Sequence, residues 1–289
     1  MASHSNSLGS DSRIGPFTLA PEGAVLCANA PHGSLRIRTG WGAGLDLRDL
    51  LATRVRELTG TTDERFPVSV YLRAGERGDT VRAVPRDHQS ARVLAITAAT
   101  QGSTVAAGWT GARSSDALLA AAKSGRLIES MQTHSVAAGD ALALPDGILY
   151  SVGKGVRALD IGTGDAAVQV LPASGIGTDP GVNISARPDH VLRAEVASQP
   201  CFDGADLRVT RLSAGIFRAI DLAHPGKRDN HGPLVLVPTG HGVRVRANGS
   251  EYNAELFEAT IIPASLVFAA AFEVAAGSEA WAIGVRTGG

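Results

Sequence analysis

The segment from residue 139 to 161 constrains the fold more than any other, because its apolar runs are very short and the turns between them are close together. Gly139-Asp140 and Pro145-Asp146-Gly147 are typical tight turns, and Gly153-Lys154-Gly155 separates two further short strands. An apolar strand is predicted between the first two turns, over residues 141–144. Strands and turns of this length predict one wall of a small antiparallel barrel.

Helices are predicted at only a few places in the chain. Leucine and valine recur at helical spacing through residues 45–58, and the run ends at Gly60, which predicts an amphipathic helix. A second, interrupted helix is predicted to begin at a cap at residues 114–116, and residues 127–131 are predicted to continue it. Strands separated by turns account for most of the remaining pattern.

Hairpins are the main predicted unit on both sides of the segment 139–161. In the first half, residues 66–72 are predicted to pair with 80–84, and residues 92–97 with 103–107 across the Gln101-Gly102 turn. In the second half, Asn248-Gly249 between two alternating runs is the strongest hairpin signal. The strands predicted there are residues 207–212, 233–237, 242–247, 251–256, 260–262, 267–272 and 281–285.

The two sets of strands predict an all-β dominated chain with two barrels in tandem and a few short helices. Residues 162–187, rich in glycine, proline and short polar side chains, are the best candidate for a linker, although a strand is predicted at 168–171. The predicted organisation is a disordered tail at 1–12, an N-terminal barrel with helical additions at 13–161, the linker, and a C-terminal barrel at 188–289.

Composition excludes several kinds of partner. The formal net charge of −1 over 289 residues gives no electrostatic case for nucleic acid or a membrane surface, so a small-molecule ligand is the expected partner. No run of about 18 apolar residues is present, and the polar N-terminus lacks the basic start and apolar centre of a secretion signal. With only two cysteines, Cys27 and Cys201, the chain is expected to be cytoplasmic.

Several motifs in register resemble the type I mannose-6-phosphate isomerases, which are double-cupin (jelly-roll) metalloenzymes. The resemblance runs from about residue 45 to 287. It rests on the turn motifs of 139–155, on Asp116-Ala-Leu-Leu and Gly125-Arg-Leu-Ile-Glu before them, and on residues 258–264, which repeat the same turn pattern. It implies two cupin barrels and, in the family, a zinc ion in the first barrel.

The resemblance also implies which residues should hold that zinc, and here they are replaced. The family uses Gln-x-His on one strand, Glu on the next and His after the turn, and the corresponding positions are Arg82, Val84, Arg92 and Tyr150. Arginine stays cationic and has no lone pair for a metal. The family's catalytic arginine has no clear match in residues 168–178. The chain is thus expected to bind no zinc and no other cofactor, and to lack ordinary mannose-6-phosphate isomerase activity.

Two groups of candidate site residues follow from these positions. Arg82, Arg92 and Tyr150 are candidates for catalysis, with the guanidinium groups binding an anionic or enolate-like ligand and the phenol donating a proton or hydrogen bond. The alternative is that Arg82 and Arg92 pair with Asp79, Asp87 or Asp160 and close an inactive site. The candidates for ligand binding are Tyr71, Asp87, His88, Trp109 and Lys154.

Three functions remain open at this point. The favoured hypothesis is a metal-independent isomerase, epimerase or cyclase in a specialised biosynthetic pathway. The second is a non-catalytic cupin that binds a sugar or metabolite. The third is a genuine sugar-phosphate isomerase with a relocated metal site that includes His88. An exposed strand edge in the second barrel could also pair with a second copy to form a homodimer.

Overall fold

The structure is a computed structural model, and it describes fourteen stretches of the chain. These are residues 17–19, 37–40, 44–63, 65–75, 81–84, 92–110, 117, 120–121, 124–145, 147–163, 169–171, 192–194, 201–223 and 231–287. None of the described helices is long and apolar enough to cross a membrane.

Strands dominate the described chain, as predicted. The first half contains β1 (Phe17–Leu19), β2 (Ile37–Gly40), β3 (Val68–Ala74), β4 (Val81–Ala83), β5 (Arg92–Ala99), β6 (Thr104–Trp109), β7 (Met131–Ser135), β8 (Ala141–Leu144), β9 (Leu149–Val152), β10 (Val156–Thr163) and β11 (Gln169–Leu171). The second half contains β12 (Leu192–Ala194), β13 (Cys201–Asp203), β14 (Leu207–Leu212), β15 (Gly215–Arg218), β16 (Leu234–Pro238), β17 (Val243–Ala247), β18 (Ser250–Ala254), β19 (Thr260–Ile262), β20 (Ala270–Val274) and β21 (Ala280–Val285). The helices with described bounds are α1 (Leu47–Thr59) and α2 (Ala219–Leu222), with 3-10 turns at Ile128–Ser130 and Ala264–Leu266, and residues 117, 120 and 121 are also helical.

These strands form four antiparallel sheets, two in each barrel. In the N-terminal barrel, the inner sheet has the order β12-β8-β5-β10-β3 and the outer sheet has the order β11-β4-β9-β6-β7. In the C-terminal barrel, the inner sheet has the order β13-β14-β21-β16-β19-β1-β2 and the outer sheet β15-β20-β17-β18. We call a sheet inner if its side chains contribute to the hydrophobic core between the two barrels, and outer if they do not.

That core is built by α1 together with the two inner sheets. Four leucines on one face of α1 are buried against valine, isoleucine and leucine side chains of both sheets. The helix begins after Asp46, whose Oδ1 accepts a hydrogen bond of 2.9 Å from the backbone N–H of Arg48, and it ends at Gly60, whose φ is 77°. The helix predicted at residues 45–58 is confirmed.

β10 shows how one strand serves two cores. Leu159 and Ile161 belong to the core between the barrels, whereas Ala158 belongs to the interior of the N-terminal barrel. Because successive side chains of a strand point to opposite faces, Asp160 lies on the same face as Ala158. A fully buried carboxyl group thus points into the interior of the first barrel.

The two barrels repeat one strand order. Every strand from β3 to β10 has a counterpart eleven strands later in the same place of its sheet, so that β8-β5-β10-β3 corresponds to β19-β16-β21-β14. Backbone hydrogen bonds fix the register of this repeat. Gly139 N–H donates to the carbonyl of Ile96 at 2.8 Å, and Phe257 N–H donates to the carbonyl of Pro238 at 2.8 Å. Both turn residues have positive φ, 95° and 57°.

The strand pairing crosses the predicted domain boundaries. β1, from the region assigned to the N-terminal barrel, pairs with β19 of the C-terminal barrel, and β12, from the region assigned to the C-terminal barrel, pairs with β8. The predicted linker contains β11, which pairs with β4. The division at residues 161 and 188 stays a prediction, but each half contributes a strand to the other.

Several predicted pairings are wrong, although the strands themselves exist. β5 and β6 lie in different sheets, and so do β3 and β4, because the chain passes from the inner to the outer sheet at these turns. The turn after β5 is held by another turn, since Thr100 N–H donates to the carbonyl of Gly155 at 3.0 Å. The prediction that residues 139–161 form one wall is also wrong. β9 lies in the outer sheet, whereas β8 and β10 lie on either side of β5 in the inner sheet.

Two further local predictions have opposite outcomes. The helix predicted to continue through residues 127–131 is wrong, because only a 3-10 turn forms there and Met131 already begins β7. The hairpin at Asn248-Gly249 is confirmed, since β17 and β18 pair across it. Asn248 and Gly249 have φ values of 51° and 76°, as a two-residue turn between twisted strands requires.

Candidate functional site

Asp160 is the centre of a buried polar cluster inside the N-terminal barrel. Its Oδ1 accepts a hydrogen bond of 2.7 Å from Nη1 of Arg92. Its Oδ2 accepts one of 2.6 Å from the hydroxyl of Tyr150 and one of 3.0 Å from Nε of Arg73. Asp160 and Tyr150 are fully buried, and Arg92 is 2% exposed. Both carboxylate oxygens are therefore held by donors from three other strands.

The strand register brings these residues together. Asp160 in β10 lies opposite Tyr71 in β3 and opposite Leu94 in β5. Arg73 and Arg92 lie two residues beyond those partners, on the same face, so both side chains reach the carboxylate. Tyr150 comes from β9 in the outer sheet and closes the cluster from the other side of the barrel.

Arg82 lies beside this cluster. It is the direct cross-strand partner of Tyr150 in the outer sheet, and its side chain is half-buried. Burial lowers the pKa of Arg82 from its usual value, and the positive charge of Arg73 lowers it further. Two guanidinium groups thus lie close enough to repel each other at this end of the cluster.

The electrostatics of the cluster fix the protonation states of its acidic groups. Burial raises the pKa of the Tyr150 phenol, and the negative charge of Asp160 raises it further, so the phenol stays protonated. Burial alone would raise the pKa of Asp160, but Arg92, Arg73 and the hydrogen bond from Tyr150 outweigh it and lower that pKa below its usual value. Asp160 is therefore a carboxylate and Tyr150 a donor to it.

The structure brings together four of the residues singled out from the sequence. Arg92 and Tyr150 donate hydrogen bonds to Asp160, Tyr71 lies opposite it, and Arg82 lies beside Tyr150 in the outer sheet. For Arg92, the ion pair with Asp160 that was considered as an alternative is present. Val84, at the remaining zinc-ligand position, is buried among apolar side chains.

The other candidates are not placed in this cluster. Lys154 is exposed in the turn after β9, beyond the end of the strand that carries Tyr150, and has no described contact with the cluster. Trp109 ends β6 opposite Met131, but its side chain is not described. Asp87 and His88 lie outside the described residues.

Arg73 belongs to the cluster but was not among the site residues predicted from the sequence. Its guanidinium carbon lies 4.5 Å from the centre of the Tyr71 ring, and its side chain is 18% exposed. The signal was available, because Tyr71 and Arg73 are two residues apart on one strand and must share a face. Once Tyr71 was assigned to the interior, Arg73 belonged there as well.

A zinc ion does not fit the residues at this place. Zinc needs several neutral imidazole, thiolate or carboxylate ligands, whereas the cluster supplies guanidinium groups, a protonated phenol and one carboxylate whose oxygens already accept hydrogen bonds. Within the described ranges, no group of three or more histidine, cysteine, aspartate or glutamate residues could hold a metal ion. Whether the whole chain binds zinc stays a prediction.

The C-terminal barrel shows what the same positions contain when no polar cluster is built. With the register set by the two turns, Asp160 corresponds to Ala282 and Leu94 to Leu236. Tyr71 corresponds to Thr210, a buried polar residue. The counterparts of the three arginines and of Tyr150 are Leu212 for Arg73, Phe217 for Arg82, Leu234 for Arg92 and Phe272 for Tyr150. Like Ala282, these four belong to the apolar interior of the second barrel.

Comparison with known proteins identifies the fold. No family model and no curated protein matches the sequence. Among solved structures, mannose 6-phosphate isomerase from Bacillus subtilis aligns with a TM-score of 0.69 at 14% identity, covering 94% of this chain and 100% of that chain. A single-residue variant of phosphomannose isomerase from Salmonella typhimurium aligns with a TM-score of 0.66 at 10% identity, covering 95% and 100%.

A zinc-bound holo form of mannose 6-phosphate isomerase is also similar, with a TM-score of 0.60 at 10% identity and coverage of 91% and 90%. Identities this low show a shared architecture and do not carry an activity. The strand order, the two barrels and these alignments together show that the chain has the double-cupin fold of the mannose-6-phosphate isomerases.

Proposed function

We propose that the N-terminal barrel binds a small anionic metabolite without a zinc ion, and that the chain is a metabolite-binding cupin rather than a metal-dependent isomerase. The observation that carries this proposal is the contrast between the barrels. One interior holds Asp160 with the guanidinium groups of Arg73, Arg82 and Arg92, and the other is apolar at every corresponding position.

This contrast matters because the fold does not require the charges. Taking a charged group out of water costs several kcal/mol, roughly, and a buried ion pair is often no more stable than apolar side chains of similar volume. The second barrel packs the same strand order with leucine, phenylalanine and alanine. Since packing of the barrel does not need the charged cluster, the simplest explanation for its presence is that it has a function.

The arginine side chains in and beside the cluster indicate the kind of ligand. Asp160 accepts hydrogen bonds from Arg73 and Arg92, and Arg82, which lies beside Tyr150, has its pKa lowered by burial and by the positive charge of Arg73. An anion beside Arg73 and Arg82 would relieve the repulsion between them. Sugar phosphates are the first class to test, because the structurally similar enzymes are named for mannose 6-phosphate.

The test is calorimetric titration of the full chain with mannose 6-phosphate and fructose 6-phosphate, with a chelator present. We expect binding, and we expect Arg82→Gln to weaken it about tenfold or more, since it removes a charge-assisted contact. Arg126→Gln is the matched control, because Arg126 is 70% exposed and lies outside the cluster. The proposal fails if neither compound binds, or if the protein interconverts them in a chelator-sensitive reaction.

A metal-independent enzyme is the second candidate, and the placement of Tyr71 favours it. Tyr71 is half-buried opposite Asp160, with the Arg73 cation over its ring, so a phenol and a cation lie together beside the proposed ligand. Tyr150 is unsuited to proton transfer, because its hydroxyl is bound to Asp160 and its pKa is raised. Isomerisation, epimerisation or cyclisation in the chelated sample that Tyr71→Phe abolishes would establish this candidate.

A further inference from the structure

We infer that Arg73 binds the oxyanion of the ligand end-on, through its two Nη groups, and that the Tyr71 ring holds the guanidinium plane in position for this contact. The inference rests on the proposed function and assigns the anion contact to a particular pair of residues. The ligand group is a carboxylate or a phosphoryl group, since both present two oxygens that match the guanidinium fork.

The hydrogen bonding of Arg73 leaves this end of the side chain available. Its Nε donates to Oδ2 of Asp160 at 3.0 Å, and this is its only hydrogen bond to a described residue. Two other arginines of the described chain use more of the fork. Arg54 engages Glu57 through both Nε and Nη2, and Arg246 engages Glu251 and Glu273 through Nε and Nη2.

Two contacts hold the plane of the Arg73 guanidinium. The bond from Nε fixes one edge against a carboxylate that Arg92 and Tyr150 also hold. The ring of Tyr71, 4.5 Å from the guanidinium carbon, supports one face. An arginine held in this way loses little side-chain entropy on binding, which favours affinity.

The position of Arg73 fits a contact with a ligand that enters from the edge of the barrel. β3 is the terminal strand of the N-terminal inner sheet in the described structure, and the Arg73 side chain is 18% exposed while Asp160 beneath it is fully buried. Its counterpart in the second barrel, Leu212, is 2% exposed and belongs to the apolar core. A leucine at this position is therefore sufficient to pack the barrel, and the arginine of the first barrel is not needed for packing.

The test compares Arg73→Lys with the wild type by calorimetric titration of the full chain. Lysine keeps the charge and the possibility of a bond to Asp160 but lacks the planar fork. The probes are mannose 6-phosphate, gluconate and mannose, which separate a phosphoryl group from a carboxylate and from a neutral sugar. We expect about 10- to 100-fold weaker binding of the preferred anion, with mannose affected little.

The controls distinguish this inference from the proposed function. Arg126→Lys should bind like the wild type, and Arg73→Gln, which removes the charge, should weaken anion binding at least as much as Arg73→Lys. Urea unfolding of each variant verifies that the chain is folded. If the wild type binds an anion and both Arg73 variants bind it equally well, the inference is wrong although the proposed function stands. If the wild type binds no anion, both fail.

Discussion

Tyr150 donates a hydrogen bond of 2.6 Å to Asp160 and so joins the two sheets of the N-terminal barrel through its interior. The corresponding residues of the second barrel, Phe272 and Ala282, have no such groups, and that barrel is nevertheless closed and packed. This hydrogen bond is part of a cluster in which Arg92 and Arg73 also donate hydrogen bonds to the Asp160 carboxylate. Four predictions follow from how these groups depend on one another.

Removing Asp160 alone should destabilise the fold strongly. The Asp160→Ala variant leaves the Arg92 guanidinium buried without its carboxylate, which typically costs about 3–5 kcal/mol. Replacing three of these residues by their counterparts, with Arg92→Leu, Tyr150→Phe and Asp160→Ala together, should recover about 2 kcal/mol or more of that loss, since both fully buried charges then disappear and only the partly exposed Arg73 and Arg82 remain charged. Urea unfolding gives both free energies. A triple variant no more stable than Asp160→Ala would contradict the conclusion, drawn from the second barrel, that apolar side chains can replace these groups.

The stability of the protein should depend on pH through Asp160. Its pKa is lowered in the folded state, so its contribution to stability is complete above the pKa of the unfolded chain, about 3.9. That contribution is lost as pH falls from there through the lower pKa of the folded state. The wild type should therefore lose its stability advantage over Asp160→Asn between roughly pH 5 and the acid limit of the folded protein. Urea midpoints measured from pH 7 downwards test this, and a constant difference would count against it.

The phenol of Tyr150 should stay protonated in the folded protein at alkaline pH. Burial and the negative charge of Asp160 both raise its pKa, so Tyr150 contributes nothing to the phenolate absorbance until the chain unfolds. Tyr150→Phe should give the same ultraviolet titration as the wild type up to the unfolding pH. A smaller phenolate signal in the folded variant would show that Tyr150 ionises and that its hydrogen bond to Asp160 is weaker than described.

Gly162 should be required for the position of Arg92. A Cβ at this glycine would lie 2.7 Å from Nη2 and 2.9 Å from Cζ of Arg92, which is buried and paired with Asp160 and cannot move freely. Gly162→Ala should cost about 1–3 kcal/mol of unfolding free energy by overpacking. In the Arg92→Leu background the cost should fall, because the shorter side chain vacates this space. Equal costs in both backgrounds would show that the clash lies elsewhere.

Much of the fold was predictable from local patterns, because strands and turns leave local signals. The predicted strands at residues 207–212 and 260–262 coincide with β14 and β19, and the Asn248-Gly249 turn joins β17 and β18. The partners of the strands were not predictable in the same way. β5 pairs with β8 and β10, which are distant in sequence, and nothing in its own residues selects them over β6.

The site was predictable only in part. The motifs in register singled out Arg82, Arg92 and Tyr150, and in the structure Arg92 and Tyr150 bind Asp160 while Arg82 lies beside Tyr150. The part played by Arg73 depends on β3 lying beside β10, a pairing that local sequence does not specify. The apolar counterparts in the second barrel also became visible only with the strand register.

The most direct test of the account is to count zinc and bound ligand on the same sample of full-length protein. Elemental analysis after incubation with zinc, followed by titration with the preferred anion with and without chelator, gives both numbers. We expect much less than one tightly held zinc ion per chain and the same anion affinity with and without chelator. One zinc per chain whose removal abolishes binding would contradict the claim that arginines, not a metal, hold the ligand in the first barrel.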